Sequence, residues 1–517
     1  MHRYLIPVLL AALLACQSPP TSESASSNHL GEISLKVTGA EVAMPAFEEG
    51  LLLLHSFEYA DSRTSFQAAQ AEDSSFAMAY WGEAMTYNHN LWSEQEYEKG
   101  TATLALMEQN CDLQPLTALE KDLIQAVRVL YGEGEKLARD QAYAEFLGEL
   151  HEKHPENHEV AAFYALSLMG AVPYGRDGEV SDQSAAIARG IMEENANHPG
   201  GLHYLIHAYD EPSHAQFALE AANAYAKVAP DAAHALHMPS HIYVALGMWK
   251  EVISSNIASY NASINRMERM ELKDDARSYH AFAWLQYGHM QLGEMEPATK
   301  IMEDMVGYHA SEPAKRTRAY YVSMIAAYLT EIDSWEDQWI PAMKEIKTDD
   351  LNMYVAAVQQ YVLGRHAHST RDATALQTAI DQIYIERQRA AQQLTPDGIS
   401  SCGAVTRSTP NQLNIDHASI MEMQLRALLA DMQGNPVEAE EWLKESVALE
   451  TSLSYSSGPP DIPSPSWEFY GEWLLDQERP ADALKQFELA LARNPQRRLS
   501  LQGLATAQKA VNAVAAY

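Results

Sequence analysis

Four histidines define the chemistry open to this chain. His203 and His207 lie four residues apart, as do His237 and His241, and the pairs recur 34 residues apart, His203 to His237 and His207 to His241. At i, i+4 on a helix, two imidazoles project from one face, one turn apart. Repetition on a neighbouring helix, with axes roughly 8–10 Å away, gathers up to four ring nitrogens around one point. A cation needing nitrogen at about 2.0–2.1 Å fits there. Neutral imidazole suits zinc, copper or nickel, and one transition metal, zinc or copper, is the cofactor suggested. Asp210 follows His207 by about a turn, and His234 precedes His237; both are expected as outer or alternative ligands.

The stretch 198–241 carries His198, His203, His207, His214, His234, His237 and His241, seven of the chain's 20 histidines. Two other readings stay open: a polar site for a non-metal ligand, and plain hydrogen-bonding groove surface. Tyr204 and Leu205 follow His203, so no HExxH pattern with its helical general base is present. Metal-assisted hydrolysis is the enzymatic alternative, with an open position for water and Asp210 as base. No nucleophile–base–orienter set, glycine-rich phosphate loop or cofactor fingerprint supports an enzyme independently, and enzyme status stays open. Ligand imidazoles must lose their protons, so metal affinity is expected to weaken below about pH 6. Pro239, between His237 and His241, predicts either a kinked helix or a helix that begins there.

The elements that position these residues are helices. Thirty-four residues is the period of the tetratricopeptide repeat, a helix–turn–helix unit. The frame is clearest at 43–110, 199–266, 279–312, 420–453 and 464–497. In the last window Trp467 and Gly471 fall on the first helix, Ala483, Phe487 and Ala490 on the second, and Pro495 ends it. Small residues let helices approach, aromatics fill the interface, and proline stops the helix. Residues 111–198 and 313–410 read as helical but poor repeats, with loops expected at 394–412 and 456–466. No strand pattern appears. The expected fold is all-α: a tetratricopeptide-type solenoid in a right-handed superhelix, whose first helices line a concave groove.

Counted from each repeat start, His203 and His237 take the fifth place, His207 and His241 the ninth, and His234 the second. His55 and His89 are also 34 apart, with Trp81 and Tyr87 near His89. Glu468 and Glu472 form a carboxylate pair at places five and nine of the last window; an exposed acidic face is the plainer account of them. Arg497 and Arg498 are expected to pair with acids or cap a helix.

Of 517 residues, 70 are acidic and 36 basic, a net charge of −34. That surface repels phosphate backbones, so no nucleic-acid partner is expected. Residues 1–16 read as an address: a weakly basic start, an apolar stretch too short to span a bilayer, and Leu13-Leu14-Ala15-Cys16. This ending resembles a bacterial lipobox, which implies cleavage before Cys16, acylation of that cysteine, and, with Gln17 following, a periplasm-facing outer-membrane lipoprotein. An ordinary secretory signal with a chance cysteine is the alternative. The Ser/Pro-rich stretch 17–40 suits a tether, and 41–517 reads as one continuous solenoid. Cys111 and Cys402 lie 291 residues apart in no CxxC pattern, which excludes a disulfide scaffold and a thiolate metal site.

The segments LLLLHSFEYADSRTSFQAA, FAMAYWGEAMTYNHNLW, GLHYLIHAYDEPSHA and HALHMPSHIYVALGMW resemble a group of bacterial envelope tetratricopeptide repeat lipoproteins. The likeness covers most of the mature chain. It implies the fold and an envelope protein or peptide as partner in the groove, and lends no secure activity.

Overall fold

Two helices and a turn fit in about 34 residues, and the computed structural model, which describes residues 29–173, 175–394 and 410–515, is a succession of such pairs. They are α1 (Met44–His55) with α2 (Tyr59–Glu72), α3 (Ala77–Met85) with α4 (Tyr97–Asn110), α5 (Ala118–Leu130) with α6 (Lys136–Lys153), and α7 (His158–Gly170) with α8 (Gly178–Glu194). The central pairs are α9 (Pro199–Ala208) with α10 (Leu219–Val228), then α11 (Ala233–His237) and α12 (Pro239–Ala245) with α13 (Trp249–Arg269), and α14 (Tyr279–Gln291) with α15 (Met295–Ser311). The array continues through α16 (Lys315–Ile332) with α17 (Trp339–Glu345), α18 (Met353–Ser369) with α19 (Ala373–Ala391), α20 (Gln412–Met432) with α21 (Pro436–Ser452), and α22 (Ser466–Asp476) with α23 (Pro480–Arg493). A last helix, α24 (Arg498–Ala515), covers its end. The chain is an all-α helical-repeat solenoid. Among the described residues the one sheet is an antiparallel ribbon of Asn88–His89 with Glu94–Gln95.

A sequence rule explains the stacking. Phe66 on α2 fills the space left by Gly50 on its own first helix and Gly82 on the next. Added Cβ atoms there would lie 2.9 and 2.3 Å from its ring. Phe487 on α23 does the same between Gly471 and Gly503, at 2.9 and 2.3 Å. In these two repeats an aromatic on the second helix thus wedges between glycines on two successive first-type helices, where any side chain would force the helices apart. The stretches that scan poorly as repeats, α5–α8 and α16–α19, form the same kind of hairpin.

The array closes on itself. Gly247, at the turn before α13 with φ of 69°, lets the chain pass Pro495; a Cβ there would sit 2.6 Å from the Pro495 carbonyl oxygen. Beside it Trp249 donates its indole N–H to the Gln496 carbonyl at 3.0 Å. Arg497, fully buried, donates to both Glu468 oxygens at 2.8 Å, to Glu331 at 2.8 Å and to the Tyr287 hydroxyl at 2.7 Å. Glu468 is therefore a buried clasp, whereas Glu472, its presumed twin, is exposed. The clasp lays the loop before α22 against α14, where a Cβ on Gly458 would meet Trp284 at 2.3 Å.

Cys16, Cys402 and most of the loop expected at 394–412 lie outside the described residues. The described part of the presumed tether packs on the solenoid. Leu30 and Leu35 are buried, Glu32 donates its N–H to the Asn197 carbonyl, and the Thr38 hydroxyl donates to Glu120. The reading of 17–40 as free tether is corrected there: apolar residues at 30 and 35 give that stretch a surface to bury. Among the described residues no helix is long and apolar enough to cross a membrane.

Candidate metal centre

Repeat geometry brings six imidazoles together in two sets of three. The first is His203 and His207 on α9 with His234 on α11; the second is His237 and His241, on α11 and α12, with His280 on α14. In each set the three candidate ligand atoms lie within 4.8 Å of one another. The sets adjoin: His207 and His241 ring centroids are 5.9 Å apart, and those of His234 and His237 6.3 Å. The four histidines of the repeated pairs therefore do not converge on one point. They divide by pair, because His207 and His241 belong to successive repeats and each pair closes on a third ring from the repeat that follows.

Hydrogen bonding fixes which ring atoms are free. His203 Nδ1 lies 2.6 Å from the His55 carbonyl oxygen, which can only accept, so Nδ1 carries the proton and Nε2 a lone pair. That one lone pair faces two further ring nitrogens, His207 Nε2 at 3.1 Å and His234 Nε2 at 3.2 Å. In the second set His237 Nδ1 donates to Asn256 Oδ1 at 2.7 Å, whose own amide donates to the Val252 carbonyl. His241 Nδ1 donates to Asp210 Oδ2 at 2.6 Å. Both Nε2 atoms then carry lone pairs, yet they stand 3.1 Å apart. Two neutral rings so arranged repel, and the contact requires a cation, either a metal ion or a proton held with the help of Asp210. A tetrahedral ion with nitrogen ligands at 2.0–2.1 Å has ligand–ligand edges of about 3.3 Å, close to all three separations.

Asp210 stands behind His241 rather than among the converging ring nitrogens. Its Oδ2 orients His241 in the manner of a carboxylate–histidine–metal relay, and its buried Oδ1 has no hydrogen-bond partner. Asp210 is fully buried and is not on the wall of the cavity beside these histidines. His234 stands within the first set, held at the head of α11 where Glu58 accepts its backbone N–H at 2.9 Å. His280 carries no repeated-pair signal, and sequence reasoning missed it. One signal would have found it: His280 holds the second place of the 279–312 window, as His234 does of 233–266. Pro239 resolves both ways, as a break after α11 and as the first residue of α12, which lets His237 and His241 face each other from two short helices.

Aromatic rings wall the centre. Phe57 lies over the first set, 4.3 Å from His203 between ring centroids, and Trp284 against the second, 4.7 Å from both His237 and His241. Phe57 has φ of 56° at an inter-helix turn where other repeats carry Gly293 and Gly434. A bulky residue in that left-handed region stores strain, which its packing on the imidazoles must offset. A cavity of about 450 Å³ opens beside the centre and is lined by His234, His237, His241 and His280 with Trp92 and Arg316. His89 is on its wall, stacked on Tyr59 at 4.0 Å.

Burial pushes these imidazoles down, His203 and His280 to about 3, and His207, His234 and His237 well below the ordinary histidine range. Neighbouring imidazoles add to the effect in each. These five rings therefore stay neutral well below pH 6. In the unfolded chain the same rings protonate near 6.5, so between about 6.5 and 3 the unfolded state binds more protons. Stability of metal-free protein is therefore full above about 6.5 and falls as pH falls through that window. Thermal midpoints measured from pH 8 to 4 check this; a flat profile would contradict neutral burial of the set.

A third cluster shows what a satisfied histidine group looks like. His55 Nε2 is 2.6 Å and His198 Nε2 3.1 Å from the two oxygens of Glu159, all three buried. His55 Nδ1 meets the Tyr204 hydroxyl at 2.9 Å, and His198 Nδ1 accepts the Gly201 N–H. Every ring nitrogen has a partner, and no lone pairs are left facing each other.

A scan against protein-family models finds no match, and a search of curated proteins finds none either. Among solved structures, the chain is similar to yeast Tom70, with 12% identity over 90% of this chain and 88% of that one, at a TM-score of 0.32. The P58(IPK) TPR domain is 14% identical over 92% and 99% of the two chains, at 0.20. A chain of the Naa15/Naa10 complex bound to HypK-THB is 12% identical over 86% and 62%, at 0.24.

Proposed function

We propose that this protein is an envelope-anchored helical-repeat protein whose groove holds a transition metal on His203, His207 and His234. The observation that carries the reading is the single Nε2 lone pair of His203 facing two other ring nitrogens at 3.1 and 3.2 Å. Neither carboxylate nor thiolate joins this set, which favours zinc or copper over magnesium, calcium or manganese. Three ligands leave a coordination position open for water or a bound molecule. The rest of the groove is left for an envelope protein or peptide, whose binding a chelator would not disturb.

Elemental analysis of protein purified without a histidine tag tests the metal reading. Stoichiometric metal in the native protein and none in the His207→Ala/His241→Ala double variant is the expected result. Absence of metal from the native protein, reconstituted with zinc or copper, would leave only the scaffold. Anchoring is tested separately: Cys16→Ser should move the protein from the membrane fraction to the soluble one, and unchanged fractionation counts against a lipid anchor.

A further inference from the structure

The two histidine sets are one device repeated. In the first, a repeat supplies its fifth and ninth places, His203 and His207, and the following repeat supplies its second, His234. In the second, the next repeat supplies places five and nine, His237 and His241, and the repeat after that its second, His280. The third ring comes 31 residues after His203 in one case and 43 after His237 in the other. The difference of 12 is taken up largely by α13, at 21 residues against 10 in α10. Translation by one repeat therefore reproduces the ligand set, and what holds a metal in the first is present in the second.

We infer that the protein holds two transition-metal ions side by side, the second on His237, His241 and His280. The inference rests on the metal reading above. The second set has its own support. With His237 Nδ1 committed to Asn256 and His241 Nδ1 to Asp210, two Nε2 lone pairs stand 3.1 Å apart, and each ligand already has the outer partner a metal-bound histidine takes. The contrast with the His55–Glu159–His198 group is direct, since there a carboxylate sits between the rings and accepts a hydrogen bond from each.

The two ions differ in access. Of the first set only His234 lines the 450 Å³ cavity, whereas all three histidines of the second do. The second ion therefore meets incoming molecules. Six neutral imidazoles bring no charge to two ions; among the described residues Asp210 is the carboxylate hydrogen-bonded to one of these rings, and Glu58 and Glu94 stand on the cavity wall. A small anionic oxygen donor, such as hydroxide or a carboxylate, is the ligand that charge calls for at the shared open face. The Arg316 guanidinium, on the same cavity wall and without an ion-pair partner among the described residues, suits such an anion.

Native mass spectrometry with elemental analysis, on untagged protein reconstituted with zinc and with copper, tests the inference. Two ions per chain are expected in the native protein, one in His280→Asn, one in His234→Asn, and two in His198→Asn, which perturbs a buried histidine outside both sets. Circular dichroism confirms the fold of each variant. One ion per chain that survives His280→Asn overturns the second site and leaves the first standing. A single ion in the native protein that disappears in both His280→Asn and His234→Asn overturns it too, in favour of one shared ion. No ion in the native protein removes the metal reading itself.

Discussion

Arg497→Ala is expected to lower the unfolding free energy by about 3–5 kcal/mol, the usual cost of stranding a buried charge by removing its partner. Arg497 is fully buried and reaches Glu468 through two hydrogen bonds and Glu331 through one, with Tyr287 as a neutral partner. Without the guanidinium, two carboxylates remain in a space from which water is excluded. Glu331 keeps Gln291 and Arg498, but Glu468 keeps only the Ser500 hydroxyl, too little to solvate its charge. Arg498, half-buried and also on Glu331, is the control: Arg498→Ala should cost far less, in the range of ordinary polar contacts. Thermal unfolding of both variants, read by circular dichroism, decides the matter; equal shifts would contradict the clasp. Because the clasp holds the 453–465 loop onto α14, Arg497→Ala should also loosen Trp284 from His237 and His241.

Asp210→Ala is expected to weaken metal binding at His237, His241 and His280 by 10–100-fold while leaving the fold in place. The carboxylate accepts the His241 Nδ1 proton, which fixes the tautomer, holds the ring plane and raises the basicity of Nε2. Its removal frees the ring to rotate and leaves a buried N–H without an acceptor. Asp210→Asn, presenting its amide oxygen, should fall between the two. Metal affinity by competition with a chromophoric chelator, measured beside the circular dichroism spectrum, is the readout. Unchanged affinity in Asp210→Ala would show that His241 is not a ligand.

Much of the fold was legible because the repeat writes its packing rule into small and aromatic residues. Gly471 and Phe487 are readable as an interface, and the structure adds only that Gly503 closes its other side. The windows that scan poorly fold as helix pairs all the same, since apolar periodicity makes a hairpin without the signature residues. The paired histidines were legible as a cluster because spacing at four and at 34 is a local property. Their division into two sets was not, because it depends on a third ring from the next repeat. The lengthening of α13 shifts His280 off the 34-residue spacing, so only its second place in the 279–312 window marks it. The role of Asp210 was invisible for a similar reason. Sequence placed it one turn from His207, and only the packing of α12 against the end of α9 turns it toward His241. The clasp of Arg497 on Glu331 joins residues 166 apart, which no local pattern encodes.

The central claim is that these repeats turn ring nitrogens toward a shared metal. Anomalous scattering from crystals of the untagged, metal-reconstituted protein, collected on both sides of the zinc or copper absorption edge, tests it most directly. The account predicts a peak about 2.0–2.1 Å from the Nε2 atoms of His203, His207 and His234. A map without a peak there, with the rings joined only by shared protons, would contradict it.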